Sequence, residues 1–350
     1  MSNTINFRDN GYQGEVLNDL LTCAVQGNDT FNEHLIHVKS GIKSHYTLPS
    51  LKLGEVIQDN VPTPTSSHGS AGEDGENQYT ITERKLIPMD FMVYLEFNPR
   101  DYERYWKFAQ PDGNLVFREL DPQIQSTMLR LLMEKKNEYI GNAIWTSAKG
   151  GAEKSGVVAP EDSTTIGLGK EKYFDGFMKR IVDNINTTDE KEIAGGQCIV
   201  AGTSLLTDGA AVEKALYEMW KRCPKQIRRS SDLTFVIGWD AWDAYDQYIT
   251  GQQVKYVDNS QMNRYRFKGC NVIPIVGVPE HTIILAEFST EMNSNFWVGV
   301  DYANDTEVLR VDRLQANSEL FFFQMRMKMD VNIVRPAEIV VHTAYKAVEE

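Results

Sequence analysis

Cysteine is scarce in this sequence, and the few cysteines stand far apart. The chain has 350 residues and four cysteines, Cys23, Cys198, Cys223 and Cys270, with no CxxC pair. This spacing does not support a disulfide framework or a zinc site, and it favours reduced thiols in a cytosol-like compartment. The first residues, MSNTINFRDNG, show no basic segment followed by an apolar one, so we expect no secretion signal. No apolar run is long enough to span a bilayer, so we expect no membrane partner.

The short motifs that carry much enzyme chemistry are also missing. The sequence contains no GxSxG, P-loop, GxGxxG or HExxH pattern. Its six histidines are scattered, and only His34 and His37 lie close together. A zinc site needs further ligands at suitable spacing. We therefore expect no enzyme activity, no cofactor and no metal.

Positive charge is in short supply. The chain has 36 lysines and arginines against 49 aspartates and glutamates, which gives a net charge of −13. This balance argues against a protein that wraps nucleic acid with its whole surface, but it allows a local basic face. The 41% hydrophobic content is ordinary for a globular protein, and this length can bury a sizeable core.

A long alternating segment near the C-terminus is the clearest structural signal. From Phe321 to Ile333, FFFQMRMKMDVNI, apolar residues occupy every second position, and most positions between them are polar. This period of two predicts a strand with one buried face. Thirteen residues at about 3.3 Å each reach roughly 43 Å, against about five or six residues in a typical strand. Such a strand needs a long partner, so we expect an elongated domain.

A long helix is predicted from Pro122 to Trp145. Asp121 is a good N-cap, and Pro122 suits the first helical position. Its length of roughly 36 Å nearly matches the strand, so the two can lie side by side. The predicted apolar stripe consists of Ile124, Met128, Leu131, Leu132, Tyr139 and Ala143, interrupted by Lys135.

The segment between Tyr46 and Phe97 is predicted to form a two-stranded arm. Residues 46–57 and 79–97 have extended patterns, and 59–78 is rich in Pro, Gly and Ser. Such a tip cannot pack a core of its own, and an isolated ribbon is marginal in water. The arm would gain order by lying on a neighbour. The composition of 59–78 by itself favours a plain surface loop over such a tip.

Residues from about 201 to 291 read as a compact α+β unit. Thr207 and Asp208 precede a helix that ends at Pro224, and Leu233–Ile237 is a buried strand. Asp240 is expected to cap another helix through about Ile249. Two further strands are predicted at 271–276 and 282–286.

Two groups of charged residues in this unit are candidate sites. The basic cluster consists of Lys221, Arg222, Lys225, Arg228 and Arg229. It could face DNA or a neighbouring subunit, and the absence of an aromatic stacking platform favours a solvated or inter-subunit role.

Carboxylates form the second group. Asp240, Asp243 and Asp246 are spaced three apart, and paired carboxylates serve glycosidases and metal sites. Acidic residues in the first turn of a helix also favour the helix dipole, which is the structural interpretation. A soluble hydrolase using Asp240 and Asp243 is therefore kept as an alternative.

The order of these parts resembles the Hong Kong 97-type major capsid proteins of tailed bacteriophages. Three segments carry the resemblance, namely NVIPIVGVPEHTIILAEFS, LTFVIGWDAWDAY and SELFFFQMRMKMDVNIVRPAEIVV. The resemblance implies an α+β fold with an N-terminal arm (1–45) and an extended loop (46–97). It also implies an elongated peripheral domain (98–200 and 292–350) with a spine helix and long β-strands, and a compact axial domain (201–291).

The resemblance also implies partners and a location. Copies of the chain would form pentamers and hexamers of an icosahedral shell around double-stranded DNA, bound without sequence specificity. Portal and possibly scaffold or decoration proteins would join it, with assembly in the host cytoplasm and a final place in the virion. Some relatives crosslink through an extended-loop lysine, but no lysine lies between Gly54 and Arg84 here, so we do not expect that chemistry.

Charged residues predict where subunits meet. Acidic residues at the loop tip would pair with basic residues on a neighbour; the candidates are Glu73, Asp74, Glu76, Arg100, Arg104 and Lys107. Each exposed pair contributes only about 0–1 kcal/mol, but identical seams multiply the effect. An encapsulin-like nanocompartment of the same fold is the main alternative function, and a monomeric carbohydrate-binding module is a third.

Overall fold

The computed structural model describes residues 28–53, 79–98, 122–151, 156–161, 168–186, 196–251, 266–301, 309–315 and 320–347. Its helices are α1 (Asp29–Asn32), α2 (Pro122–Thr146), α3 (Phe177–Asn186), α4 (Gly209–Arg222) and α5 (Trp239–Gly251). The strands from the first half are β1 (His37–Lys39), β2 (Tyr46–Leu53), β3 (Tyr79–Leu86), β4 (Met89–Phe97), β5 (Val157–Val158), β6 (Ile199–Gly202) and β7 (Leu233–Ile237). The remaining strands are β8 (Arg266–Phe267), β9 (Cys270–Pro274), β10 (Ile283–Glu287), β11 (Phe296–Asp301), β12 (Leu309–Arg313), β13 (Phe321–Ile333), β14 (Val340–His342) and β15 (Lys346–Ala347).

The predicted long strand is confirmed with the same bounds, as β13. It pairs antiparallel with β4 from Phe321↔Phe97 to Met329↔Met89. On its other side β12 pairs with residues 321–325 and β11 with residues 328–333, so two shorter strands lie end to end. The equally long partner expected from the sequence is thus split into pieces. With β1 parallel to β11, these strands form a five-stranded sheet.

The spine helix is confirmed as α2, but the predicted stripe is only partly buried. Ala143 is buried and Leu131 is 59% exposed, and the other buried positions include Met133, Lys136, Asn137, Ile140 and Ile144. These positions recur at intervals of three and four, as one helix face requires. The polar pair Lys136 and Asn137 lies on that face, and this hid the true stripe from a search for apolar residues. Helix α3 follows the loop after α2 and begins at Phe177.

The predicted two-stranded arm is confirmed in part. Strands β2 and β3 form an antiparallel ribbon from Tyr46↔Leu86 to Leu53↔Tyr79. The extended segment then breaks at Ile87 and Pro88, and β4 lies in the five-stranded sheet instead of continuing the arm. Proline lacks an N–H group and cannot continue the ladder, which explains a break at this point.

A six-stranded sheet, in the order β6-β14-β10-β7-β9-β8, forms the second body. Both of its faces are buried. Val236 and Ile284 belong to the main core with α2, α3 and the five-stranded sheet. Phe235 and Leu285, one residue away in each strand, face the second core with α4 and α5. Strand β14 comes from the C-terminal segment, which the sequence grouped with the elongated part.

Candidate assembly surfaces

The base of the ribbon formed by β2 and β3 packs in a small apolar cluster, separate from the two larger cores. Leu48 and Leu86 from the two ribbon strands pack with Ile42, Trp297 and Val334. Leu86 is fully buried, and Trp297 donates from its indole N–H to the Ser294 carbonyl at 2.8 Å. This cluster fixes the direction in which the ribbon leaves the body.

Polar side chains from β13 and α3 hold the same end of the ribbon. The Asp330 carboxylate accepts a hydrogen bond from the Ile87 N–H at 2.7 Å and lies 3.5 Å from the Arg180 guanidinium. Asn332 donates to the Lys85 carbonyl at 2.8 Å. Arg84 donates to the Asn184 side chain at 2.6 Å. We call Asp330, Arg180, Asn332, Arg84 and Asn184 the ribbon-base cluster.

Burial perturbs the ionisable groups of the ribbon-base cluster. Burial raises the pKa of Asp330 to about 6, although Arg180 and the N–H groups of Ile87 and Val331 act in the opposite direction. Burial likewise lowers the pKa of Arg84. The sequence signal was present but weak: Asp330 occupies a polar position of β13, at the point where the strand becomes buried on both faces.

Apolar side chains are exposed on the ribbon and on β4. Ile81 of β3 is 65% exposed and Met92 of β4 is 57% exposed, with Tyr94 and Leu95 also exposed. Tyr94 stacks on Phe322 of β13 at a ring-centroid distance of 6.0 Å. Exposed apolar groups of this kind gain free energy when a neighbouring surface covers them.

The structure divides the predicted basic cluster into two groups. Arg228 donates to the carbonyls of Lys221 and Cys223, at the end of α4, and its guanidinium lies 5.7 Å from the centre of the Trp220 ring. Arg222 donates to the Val200 carbonyl. These two arginines satisfy backbone carbonyls, as basic residues at helix C-termini commonly do. Lys221, Lys225 and Arg229 remain exposed to solvent.

Asp240 has a structural role. It is the second residue of α5, not the predicted N-cap, and its carboxylate accepts the backbone N–H of His281 at 2.8 Å. Asp243 is exposed, whereas Trp242 and Tyr245 form the buried side of the helix. Asp240 thus fixes the turn before β10, and the described contacts give no support to an acid–base pair with Asp243.

The remaining predicted site residues cannot be placed. Glu73, Asp74, Glu76, Arg100, Arg104 and Lys107 lie outside the described residues. Within the described ranges, no group of three or more His, Cys, Asp or Glu side chains is arranged to hold a metal ion. No described helix combines the length and hydropathy needed to cross a membrane.

Comparisons by sequence found no relatives. No model of a known protein family matches the chain, and no curated protein matches it.

Solved structures give a consistent set of neighbours. A chain of the satellite phage P4 procapsid, solved with its size determination (Sid) protein, matches with a TM-score of 0.53 and 10% identity, covering 98% of this chain and 93% of its own. The cyanophage A-1(L) capsid gives a TM-score of 0.53 and 10% identity over 94% and 92% of the two chains. The capsid of an empty GTA particle gives 0.50 and 12% over 89% and 94%. The chain therefore has the α+β fold of phage capsid proteins, the Hong Kong 97-type fold.

Proposed function

We propose that this chain is a major capsid protein, the structural subunit of a self-assembling shell. The observation that carries the proposal is the similarity to capsid chains over nearly the full length of both partners. At 10% sequence identity, the similarity to capsid chains is evidence for the fold alone, and one fold can serve several functions. Function must therefore be argued from surfaces.

The ribbon supports a role in assembly. Its base is held by a buried apolar cluster and by the ribbon-base cluster, while Ile81 further along β3 is exposed. A two-stranded ribbon is marginal by itself, so contact with a second copy would stabilise it. Interfaces that include such arms bury on the order of 2,000–5,000 Å² in total.

The proposal extends to the assembly, the location and the partners of the chain. The copies form pentamers and hexamers of an icosahedral phage head that encloses double-stranded DNA. The protein is assembled in the host cytoplasm and resides in the virion, with portal and possibly scaffold or decoration proteins as partners. At the seams, Glu73, Asp74 and Glu76 meet Arg100, Arg104 and Lys107 of a neighbour.

Negative-stain electron microscopy of the purified full-length chain tests the proposal. We expect closed particles of one or a few diameters. A chain that stays monomeric at high concentration, under all salt conditions tried, would contradict a shell function.

The contents of purified particles distinguish a phage head from the main alternative, an encapsulin-like compartment. Nucleic acid inside supports a phage-type head, whereas a single enclosed enzyme supports an encapsulin-like compartment. For the hydrolase alternative, Asp240→Asn and Asp243→Asn would abolish a measured activity; we expect no activity to be found.

A further inference from the structure

A line of basic side chains crosses the outward face of α4 and continues past its C-terminus. It consists of Lys214, Lys221, Lys225 and Arg229, together with Tyr217 and Lys268, and all six are exposed. We call these residues the basic stripe. Only three of its members belong to the basic cluster predicted from the sequence; the fold adds the other three.

The helix geometry places these side chains together. Val212, Leu216 and Met219 are buried, so the opposite side of α4 carries Lys214, Tyr217 and Lys221 at intervals of three and four residues. From Lys214 to Lys221 the helix rises about 10.5 Å, close to three base-pair steps of about 3.4 Å each.

Lys268 reaches the stripe from a different part of the chain. It lies in the two-residue turn between β8 and β9, and its ammonium group is 5.8 Å from the centre of the Tyr217 ring. Its φ of 52° and the 89° of Gly269 suit a tight hairpin turn. A left-handed conformation is unfavourable for lysine but not for glycine. Position 268 therefore carries a lysine although its backbone conformation favours glycine.

Among the residues that the structure describes, the stripe cations have no acidic partner. None of the five cations forms an ion pair with any residue of the described ranges, whereas Arg130, Lys135, Lys179 and Arg335 all do. Burial raises the pKa of Tyr245 of α5, and Glu213 of α4 adds to that shift. The chain as a whole carries a net charge of −13. Five cations in one place, without an ion pair to any described residue, are thus a local exception.

We propose that the basic stripe binds the phosphodiester backbone of nucleic acid without reading its sequence. Lysine and arginine side chains that neutralise phosphates supply most of such binding, and they do so by releasing counterions. The nearby Arg222 and Arg228 are occupied with backbone carbonyls and support the helix end. The exposed Tyr217 ring adds an aromatic group beside the basic cluster, which the sequence alone did not indicate.

The composition of the stripe favours nucleic acid over a second copy of the chain. Protein–protein interface cores are depleted in lysine, and the stripe has four lysines. A seam between copies would also place acidic partners opposite these cations, with the desolvation cost of a buried pair. This inference goes beyond the shell function, and each can fail without the other.

Fluorescence anisotropy of a labelled 30-base-pair duplex DNA with the full-length chain tests the inference. The variant replaces Lys214, Lys221 and Lys225 with Gln. The control replaces Lys43, Lys149 and Lys170, three exposed lysines elsewhere, with Gln. Both variants lose the same charge, so a difference between them reports position. Salt titration between about 50 and 200 mM gives the number of phosphates contacted, since each contributes about 0.9 to the slope.

We expect the stripe variant to lower the slope of log K against log salt by about 2–3, and the control by less than about 1. Affinity at low salt should fall at least tenfold for the stripe variant alone. Equal losses in the two variants would overturn the inference. So would unchanged DNA binding combined with failed particle assembly, which would assign the stripe to a seam between copies. If wild-type chain binds DNA through the stripe but forms no particles, the shell function fails and this inference stands.

Discussion

At the scale of single residues, the least expected feature is a lysine inside the molecule. Lys136 of α2 is 6% exposed, and its ammonium group contacts the Met325 sulfur at 3.2 Å. No described acidic group pairs with it, and burial lowers its pKa to about 7. An unpaired amine in an apolar site destabilises the fold, because the unfolded chain hydrates and protonates it freely.

Replacing Lys136 with Met should stabilise the protein. We expect the free energy of unfolding to rise by a few kcal/mol at neutral pH, since the shift from 10.5 to about 7 disfavours the folded state. The increase in the free energy of unfolding should be largest below about pH 7 and should become smaller as the pH rises toward 10.5. Urea unfolding at pH 7 and pH 9.5 measures both values. Lys135→Met, at an exposed pair with Glu138, is the control and should change stability by less than about 0.5 kcal/mol. A destabilised Lys136→Met variant would refute this account.

Asp330 makes the opposite pH prediction. Its folded-state pKa of about 6 lies above the ordinary 3.8, so the folded protein binds the proton more tightly than the unfolded chain. Asp330 therefore adds stability as the pH falls through 6 toward 4. Relative to Asp330→Asn, the wild type should gain about 2 kcal/mol between pH 7 and pH 4.5. Chemical denaturation at the two pH values tests this.

The control for Asp330 is Asp90→Asn on the same sheet, which removes an exposed carboxylate that lies 3.6 Å from Lys328. If both variants follow the wild type in parallel, Asp330 is not the titrating group. The comparison uses differences between pH values, so the loss of the contact with Arg180 does not affect it.

At the scale of elements, the ribbon combines a buried base with an exposed side chain further along β3. Leu86 packs against Trp297 and Leu48, and its truncation leaves a cavity at the base. We expect Leu86→Ala to cost about 2–4 kcal/mol in the free energy of unfolding. Thermal unfolding of the unassembled chain measures this. A cost below about 1 kcal/mol would mean that the base cluster does not hold the ribbon.

Ile81 should matter for assembly rather than for folding. Ile81→Ser removes apolar surface that the chain itself leaves 65% exposed. We expect unchanged unfolding of the single chain and a several-fold higher critical concentration for particle formation. Light scattering against concentration measures the threshold. Glu83→Ser, on the same face of β3, is the control and should leave the threshold within about twofold; equal thresholds in both variants would remove Ile81 from the interface.

The accuracy of the sequence-based predictions differs from element to element. Strands β13 and β7 were predicted to the residue, because strict alternation and a short apolar run are local patterns. The buried face of α2 was predicted only in part: Ala143 belongs to it, but Lys136 and Asn137 break the apolar pattern. Strand β4 was assigned to the arm, since only its pairing with β13 distinguishes it from β3. Only Lys221, Lys225 and Arg229 of the basic stripe were predicted from the sequence, because Lys268 reaches Tyr217 only through the tertiary fold.

At the scale of the whole molecule, assembly should respond to ionic strength. Salt would screen the proposed seam pairs between Glu73, Asp74, Glu76 and Arg100, Arg104, Lys107. We expect the critical concentration to rise modestly between low and high salt. Particle yield by sedimentation at several salt concentrations is the measurement. Assembly that strengthens with added salt would count against these pairs and favour apolar seams.

The position of β14 has a consequence for synthesis. This strand lies between β6 and β10, next to the edge of the six-stranded sheet, and it comes from Val340–His342. While the ribosome is still translating, β6 and β10 emerge before the strand that separates them. Among the described strands β6 pairs only with β14, so the sheet closes only after residues 340–342 have left the ribosome. A nascent chain that stops before Val340 cannot complete this sheet.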